Sequence, residues 1–175
     1  MTTAPFIVAT GNARRGPVRR SWHLDDPGAA LGEIPGHPSS LDIDLEVSAA
    51  PDRGFRVRGW LRGTSRSVCR RCLSDVKTAI SCEIDVWFRP SHQVTPGEEG
   101  VWPFDPRQSE IDVTDALREE LWIATPTYVV CRDDCAGLCA RCGVRLGEEA
   151  CTCGPASPDP RWAELAKLRH PPTSP

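Results

Sequence analysis

Eight of the nine cysteines in this 175-residue chain fall into four closely spaced pairs, and this spacing limits the fold more than any other feature. Two thiolates separated by two residues can bind one zinc ion from a single turn of backbone. The first residues lack the basic start and apolar run of a secretory signal, so we expect reduced thiols that bind metal rather than disulfides. The pairs are Cys69/Cys72, Cys131/Cys135, Cys139/Cys142 and Cys151/Cys153.

Loop closure predicts how the pairs combine. Only eight residues separate Cys142 from Cys151, so the two C-terminal pairs are expected to share one ion in a short zinc ribbon. We call these four the ribbon cluster: Cys139, Cys142, Cys151 and Cys153. By elimination the other two pairs would meet across the fold, in what we call the knuckle cluster: Cys69, Cys72, Cys131 and Cys135. One or two structural zinc ions follow, and the spacing leaves open an iron–sulfur cluster or a redox pair at Cys69/Cys72.

Period-two alternation of apolar residues predicts a small antiparallel β-sheet or barrel. The clearest strands are expected at residues 41–47, 55–62 and 77–89, with a turn at 51–54. Cys82, which belongs to no pair, alternates with apolar residues of the third strand and is expected to be a small buried hydrophobic residue there. A shorter strand is expected at residues 6–9, and the basic stretch 14–20 and the Pro/Gly-rich stretch 27–40 are expected to be irregular.

One helix is predicted at about residues 112–124, with Asp112 as its N-cap and Pro126 after its end. A loop is expected before it, at residues 90–106. The chain is therefore expected to be an α+β protein, with a strand-rich domain at 1–126 and a cysteine-rich segment at 127–175. Asp159, Pro160 and Trp162 predict a short closing helix that continues through Leu165 and Leu168.

Arginine is concentrated in one predicted strand and the turn that follows. Residues 53–71 contain seven arginines and no acid, whereas residues 98–120 contain eight acids. Alternation places the strand's arginines and one tryptophan on its outward face, where they can contact phosphates and stack on a base. The predicted RNA-contacting residues are Arg56, Arg58, Trp60, Arg62, Arg66, Arg70 and Arg71. The alternative is a solvated sheet face whose arginines pair with acids of the neighbouring strand.

Catalysis finds little support in the sequence. The four histidines lie in no recognisable motif, and there is no phosphate-binding glycine loop or nucleophile elbow. We therefore expect a protein that is not an enzyme and has no small-molecule substrate. No apolar run approaches the roughly 20 residues of a membrane span, so we also expect no membrane association and a cytoplasmic location.

The order of these motifs resembles the YceD family, the large ribosomal RNA subunit accumulation proteins. The resemblance covers about residues 40–170. Cys82, the 98–107 loop and the basic N-terminal loop depart from the family pattern. The motifs are Cys69-Arg-Arg-Cys72-Leu73, Ile111-Asp112-Val113, Arg118-Glu119-Glu120-Leu121, Ala124-Thr-Pro126, Asp134-Cys135-Ala-Gly137-Leu138-Cys139-Ala-Arg-Cys142-Gly143, Cys151-Thr-Cys153 and Asp159-Pro160-Arg161-Trp162.

The resemblance implies a cytoplasmic, non-enzymatic factor for synthesis, processing or stability of 23S rRNA, and hence for accumulation of the large ribosomal subunit. It also implies that the family's cysteines are the eight paired ones. Three hypotheses follow. In the first, zinc rigidifies a platform that presents arginines to 23S rRNA or a pre-50S particle. In the second, the acidic segment 98–120 docks a ribosomal protein or processing enzyme without RNA contact. In the third, the thiols act in redox chemistry or hold a zinc reserve.

Overall fold

The computed structural model describes residues 6–154, 159, 161 and 162. The chain divides into two compact units, residues 1–135 and 136–175. Within the described residues, no helix is long and apolar enough to cross a membrane. The α+β class is confirmed: the first unit contains the sheets and the main helix, and the second contains a cysteine cluster.

A five-stranded sheet dominates the first unit. Its strands are β2 (Val18–Leu24), β3 (Pro38–Ala49), β4 (Phe55–Val68), β5 (Asp75–Pro90) and β6 (Val101–Phe104), in the spatial order β2-β3-β4-β5-β6. The pairings from β2 to β5 are antiparallel, as the alternation predicts. A second, two-stranded sheet pairs β1 (Ile7–Ala9) with β7 (Glu110–Asp112).

The five-stranded sheet differs from the prediction at both of its edges. The sheet is open, which is one of the two predicted forms, but at one edge β6 pairs parallel to β5, within the stretch expected to be a loop. At the other edge, β2 forms in the stretch expected to be a basic loop. Most of the β2 side chains are exposed or only half-buried. An edge strand with so little buried surface has no strong apolar alternation in its sequence, so it was missed.

The described part of the first unit also contains the α-helices α1 (Thr10–Arg15), α2 (Pro27–Leu31) and α3 (Thr114–Ala124), and short 3-10 helices at Pro51–Arg53 and Ser91–Gln93. The first two lie in stretches expected to be irregular. The third is the predicted helix, and it begins one residue later than predicted, with Val113 at the N-cap position. The Asp112 carboxylate still accepts the amide N–H of Thr114 at 2.9 Å, so it satisfies a donor of the first turn.

The core lies on one face of the large sheet and beneath α3. Phe55, Val57 and Leu61 of β4 are fully buried there, and Phe55 packs edge-on against Phe104 with ring centroids 5.4 Å apart. The alternate residues of β4 therefore face outward. Gly59 allows β3 to approach β4 closely, because a Cβ at this position would lie 1.9 Å from the Asp44 carbonyl oxygen.

The predicted closing helix lies mostly outside the described residues. What the structure shows is a turn at its start, in which Asp159 accepts the backbone N–H of Arg161 at 2.9 Å and Trp162 is exposed. Leu165 and Leu168, the residues expected to extend the apolar stripe, are not among the described residues.

Candidate metal centres and arginine surface

The connection between β4 and β5 forms a tight cysteine turn. The Cys69 N–H donates to the Ser74 carbonyl at 2.8 Å, and the Leu73 N–H donates to the Cys69 carbonyl at 2.9 Å. Leu73 adopts a left-handed φ of 61°, which closes the turn. The Cys69 and Cys72 thiols of this turn lie within 4.8 Å of each other, so both can contact one ion.

The two arginines inside this turn hold the second pair of knuckle cysteines in place. Arg70 hydrogen-bonds through both its backbone N–H and its guanidinium, and Arg71 donates to two carbonyls from a single guanidinium nitrogen. These bonds connect two segments far apart in the chain, so the turn and the 127–135 segment form one local structure. The acceptors are the carbonyls of Thr127 and Val129 for Arg70, and those of Asp133 and Cys135 for Arg71, at 2.9–3.1 Å.

The structure brings all four knuckle-cluster sulfurs together. Sγ of Cys69 lies 3.9 Å from Sγ of Cys135, and Sγ of Cys72 lies 3.6 Å from Sγ of Cys131. Four thiolates around zinc, each at about 2.3 Å, would have sulfurs about 3.8 Å apart in a tetrahedron. The spacing therefore fits a single tetrahedral ion. Three of the four cysteines are buried, and Cys131 is exposed.

The ribbon cluster forms entirely within the second unit. A hairpin-like turn opens it: the Cys139 N–H donates to the Val144 carbonyl at 2.8 Å, and Gly143 adopts a left-handed φ of 74°. Sγ of Cys151 lies 3.4 Å from Sγ of Cys139 and 3.8 Å from Sγ of Cys142, and Cys153 completes a group within 4.8 Å. This cluster is more exposed than the knuckle cluster. The two groups of four are the ones that loop closure and elimination predict.

Each cluster can hold a metal ion. Four sulfur donors at tetrahedral spacing are typical of zinc or an iron–sulfur centre. An ion with four protein ligands has no open position for water or substrate, so such a site stabilises structure rather than catalysing a reaction. None of the nine cysteines forms a disulfide.

The local hydrogen bonds lower the pKa of Cys69 and Cys72 in the knuckle cluster and of Cys139 in the ribbon cluster, which favours their thiolate forms. Burial raises the pKa of Cys69, but backbone N–H groups of Cys72, Cys131 and Arg71 outweigh it and lower the pKa to about 6. Backbone N–H groups likewise lower the pKa of Cys139 to about 6. A thiolate is the form that binds metal, so both turns are organised for ligation.

Cys82 belongs to neither cluster. It is half-buried on β5, packs against the core, and its pKa is raised to about 11, first by burial and then by the charge of Glu120. A thiol of this kind stays protonated and unreactive near neutral pH.

Arg56, the first of the predicted RNA-contacting residues, is largely committed to an internal ion pair. Its Nε and Nη2 donate to the two carboxylate oxygens of Asp85 at 2.8 and 2.6 Å, and its guanidinium lies 5.0 Å from the centroid of the Trp87 ring. The hydrogen bond from Arg56 lowers the pKa of the Asp85 carboxyl. A bidentate pair stacked on an aromatic ring leaves few donors for a phosphate.

Trp60 and Arg62 form a stacked pair on the outward face of β4. The Arg62 guanidinium lies 5.1 Å from the Trp60 ring centroid, and Trp60 is 41% exposed. Arg58 lies on the same face and is exposed, and neither it nor Arg62 forms an ion pair within the described part of the chain. These three side chains present an accessible ring and two guanidinium groups.

Acids surround these residues in the strand register. Arg58 lies opposite Glu46 of β3 and Asp85 of β5, and Trp60 lies opposite Asp44 and Glu83. The middle of the outward face therefore has mixed charge. This agrees with the alternative prediction, a solvated sheet face whose arginines pair with acids of the neighbouring strand. Further along β4 the balance changes, because Arg66 lies opposite Lys77.

Sequence reasoning missed an exposed apolar patch on α3. Trp122 is 51% exposed and Ile123 is 72% exposed, and with Trp102 of β6 they line a cleft of about 380 Å³ that Asp115 and Glu119 border. Both exposed residues lie off the helical stripe that faces the core. Two adjacent large apolar residues on the outer side of an amphipathic helix were the available signal.

The fold and the two clusters define a small α+β protein with two candidate four-cysteine metal sites. Comparison with known families then places it: the family described as large ribosomal RNA subunit accumulation protein YceD matches residues 57–169. This match covers more than half of the chain, so the protein belongs to the YceD family, as its motifs predict.

Curated relatives are similar over a large part of this chain. Uncharacterized proteins of Mycobacterium tuberculosis and Mycobacterium leprae are each 31% identical to it, over 75% and 78% of this chain. The chain spans slightly under two thirds of these relatives, with 63% and 61% of their lengths covered. The large ribosomal RNA subunit accumulation protein YCED homolog 1 of Arabidopsis thaliana, a chloroplast protein, is 30% identical over 38% of this chain and 21% of its own. No solved structure matches the chain.

Proposed function

We propose that this protein is a cytoplasmic, non-enzymatic factor that binds 23S rRNA or a pre-50S particle through the arginines of β4. Family membership supports a role in accumulation of the large ribosomal subunit. By holding an RNA segment until ribosomal proteins replace it, the factor would protect that segment and keep it accessible for assembly.

One observation carries the RNA-binding proposal. The strand with exposed Arg58, Trp60, Arg62 and Arg66 leads directly into the knuckle cluster, which fixes the end of that strand. A rigid platform binds with less loss of conformational entropy than a mobile one. Guanidinium groups with an aromatic ring among them suit phosphate contact and base stacking.

Fewer residues are proposed to contact RNA than the sequence predicts, because two of the predicted arginines are engaged within the protein. Arg56 pairs with Asp85, and Arg71 donates to the carbonyls of Asp133 and Cys135. We therefore assign the main RNA contacts to the other five residues of the predicted set, all of which are exposed. These are Arg58, Trp60, Arg62, Arg66 and Arg70.

We propose zinc as the ion in both clusters. Sulfur spacing and an all-thiolate donor set support it, because zinc is the common partner of closed four-cysteine sites. When bound, zinc would supply crosslinks between chain segments and no reaction chemistry. Elemental analysis of the purified protein tests this: we expect two zinc ions per chain and no iron or acid-labile sulfide.

The apolar patch on α3 favours a second candidate function, that of a protein-interaction adaptor. Trp122 and Ile123 lie beside Glu119 and beside Asp115, which pairs with Arg118 at 2.6 Å, so a largely apolar segment with one cation that reaches Glu119 would match the cleft. Ribosomal proteins and RNA-processing enzymes often present basic segments. If the protein is such an adaptor, the double variant Trp122→Ser/Ile123→Ser would abolish binding of the protein partner, and the parent protein would not bind RNA.

A quadruple charge reversal distinguishes the two functions. The variant combines Arg58→Glu, Arg62→Glu, Arg66→Glu and Arg70→Glu in the zinc-loaded full chain. We expect it to lose salt-sensitive binding to 23S rRNA fragments in electrophoretic shift experiments, with two zinc ions retained. Binding equal to the parent's would refute the arginine platform, and absence of RNA binding in the parent itself would favour the adaptor.

A further inference from the structure

We propose that a cleft at the C-terminal end of β4 is a specific binding site for an RNA backbone phosphate, with Arg66 and Arg70 as its cationic groups. The inference rests on the RNA-binding function proposed above and names the part of the arginine surface where the phosphate is held. We call this site the strand-end cleft.

Three segments of the first unit form the strand-end cleft. Residues 35–37 run beside the end of β4, where the Arg66 N–H donates to the Gly36 carbonyl at 2.9 Å. On the other side, Arg70 ties the turn after β4 to residues 127 and 129. The volume of this open cleft is about 250 Å³. The lining residues that carry the argument are Arg66, Arg70, His37, Val68, Pro126 and Thr127.

Positive charge dominates the described lining of the strand-end cleft. Two arginines and a histidine line it, and no acid is among the described residues of its lining. In the strand register Arg66 faces Lys77, and the one acid at this end of β5, Asp75, faces Val68. A concave surface lined by one sign of charge concentrates its field on an anion.

A larger groove on the same sheet has balanced charge, unlike the strand-end cleft. It spans β2 to β5 with a volume of about 510 Å³. Its three arginines are matched by three acids. The lining charges are Arg19, Arg20 and Arg58 against Asp44, Glu46 and Glu83. A phosphate there would meet as many negative as positive groups, so size alone does not identify the anion site.

The side chains of the strand-end cleft suit a nucleotide backbone. The guanidinium of Arg70 uses one nitrogen to donate to the Thr127 carbonyl at 3.1 Å, which fixes its position and leaves its other N–H donors for a ligand. A planar guanidinium donates two parallel hydrogen bonds to a phosphate. The Pro126 ring and the exposed Val68 side chain provide apolar surface for the adjoining sugar or base.

The test measures binding of a fluorescein-labelled single-stranded RNA oligonucleotide to the zinc-loaded full chain, by anisotropy over a series of salt concentrations. Thr127→Glu places a negative charge in the strand-end cleft without removing an arginine, and Thr127→Gln is its neutral, isosteric control. A second comparison sets Arg66→Gln with Arg70→Gln against Arg58→Gln with Arg62→Gln, which removes equal charge from the middle of β4. Zinc content and thermal unfolding of each variant verify the fold.

We expect Thr127→Glu and the Arg66/Arg70 variant to bind weakly and Thr127→Gln to bind like the parent. Loss of two single-strand phosphate contacts lowers the salt slope by about 1.4, or about 25-fold in affinity at 0.1 M salt. The Arg58/Arg62 variant could instead lose binding while Thr127→Glu and the Arg66/Arg70 variant retain it. That result would refute the strand-end cleft as the phosphate site and leave the proposed RNA-binding function standing. If the parent itself does not bind the RNA at low salt, both are wrong.

Discussion

Arg71 links the two halves of the knuckle cluster: its guanidinium Nη1 donates to the carbonyl oxygen of Cys135 at 3.0 Å, although 64 positions separate the two residues. The same nitrogen donates to the Asp133 carbonyl at 2.9 Å. An arginine predicted to contact RNA therefore positions a pair of candidate metal ligands. Supporting hydrogen bonds of this kind orient the ligands and raise metal affinity.

Replacing Arg71 should weaken the knuckle cluster. Arg71→Met keeps the aliphatic stem and removes the donor, so we expect a loss of about 1–2 kcal/mol in the free energy of unfolding. Zinc release to a chelator should become faster. Arg66→Met is the matched control, because Arg66 is also exposed, and its hydrogen bonds to residues 36 and 37 are donated by its backbone N–H. Equal zinc-release rates in the two variants would contradict the positioning role of Arg71.

Single cysteine substitutions should remove the two zinc ions separately. Cys72→Ser disrupts the knuckle cluster and Cys142→Ser the ribbon cluster, so each variant should retain one zinc ion per chain. Cys82→Ser should retain two, because Cys82 lies outside both clusters. The Cys72 variant should be the less stable, since its cluster is more buried and joins distant chain segments. Elemental analysis with thermal unfolding measures both effects. Retention of two ions by Cys72→Ser would contradict the assigned ligands.

Neutralising Asp85 should strengthen RNA binding while it lowers stability. Asp85→Asn breaks the ion pair with Arg56, and the loss of stability should be small because both side chains are partly exposed. The released guanidinium then becomes available to a phosphate, which would raise the salt slope by about 0.7. Asp52→Asn, in the turn between β3 and β4, changes the net charge equally and is the control. Lower or unchanged RNA affinity in Asp85→Asn would show that this end of β4 does not meet RNA.

The long strands were predictable because each has one buried face. Phe55, Val57 and Leu61 alternate with exposed residues, and burial enforces that alternation in the sequence. Strand β2 was not predictable, since an edge strand buries little and tolerates arginine at neighbouring positions. The parallel pairing of β6 depends on contacts with β5 across the fold, which no local pattern encodes.

The grouping of the cysteines was predictable from spacing, but the roles of the arginines were not. Nearness in sequence brings Cys139, Cys142 and Cys151 together, and elimination supplies the other group. By contrast, Arg56 and Arg58 look alike in the sequence. The strand register places Arg58 opposite Asp85, and only the side-chain geometry shows that Arg56, two residues away, forms the bidentate pair with this acid.

His23 should titrate above its ordinary range. The Asp42 carboxylate, 2.6 Å from Nδ1, raises the pKa of His23, and Asp25 adds to the effect. Because the folded pKa is the higher one, the stabilisation is complete below the unfolded value of about 6.5 and is lost as pH rises through the folded pKa. NMR titration of the imidazole should show this raised pKa, and Asp42→Asn should lower it. A pKa at or below 6.5 in the parent would contradict the ion pair.

The most direct test of the account is the salt dependence of 23S rRNA binding by the zinc-loaded protein. Four phosphate contacts from Arg58, Arg62, Arg66 and Arg70 predict that log K falls linearly with log salt with a slope of about −2.8. A slope near that value, lost in the quadruple glutamate variant, would support the arginine platform. Absence of binding at low salt, or binding that does not change with salt, would contradict it.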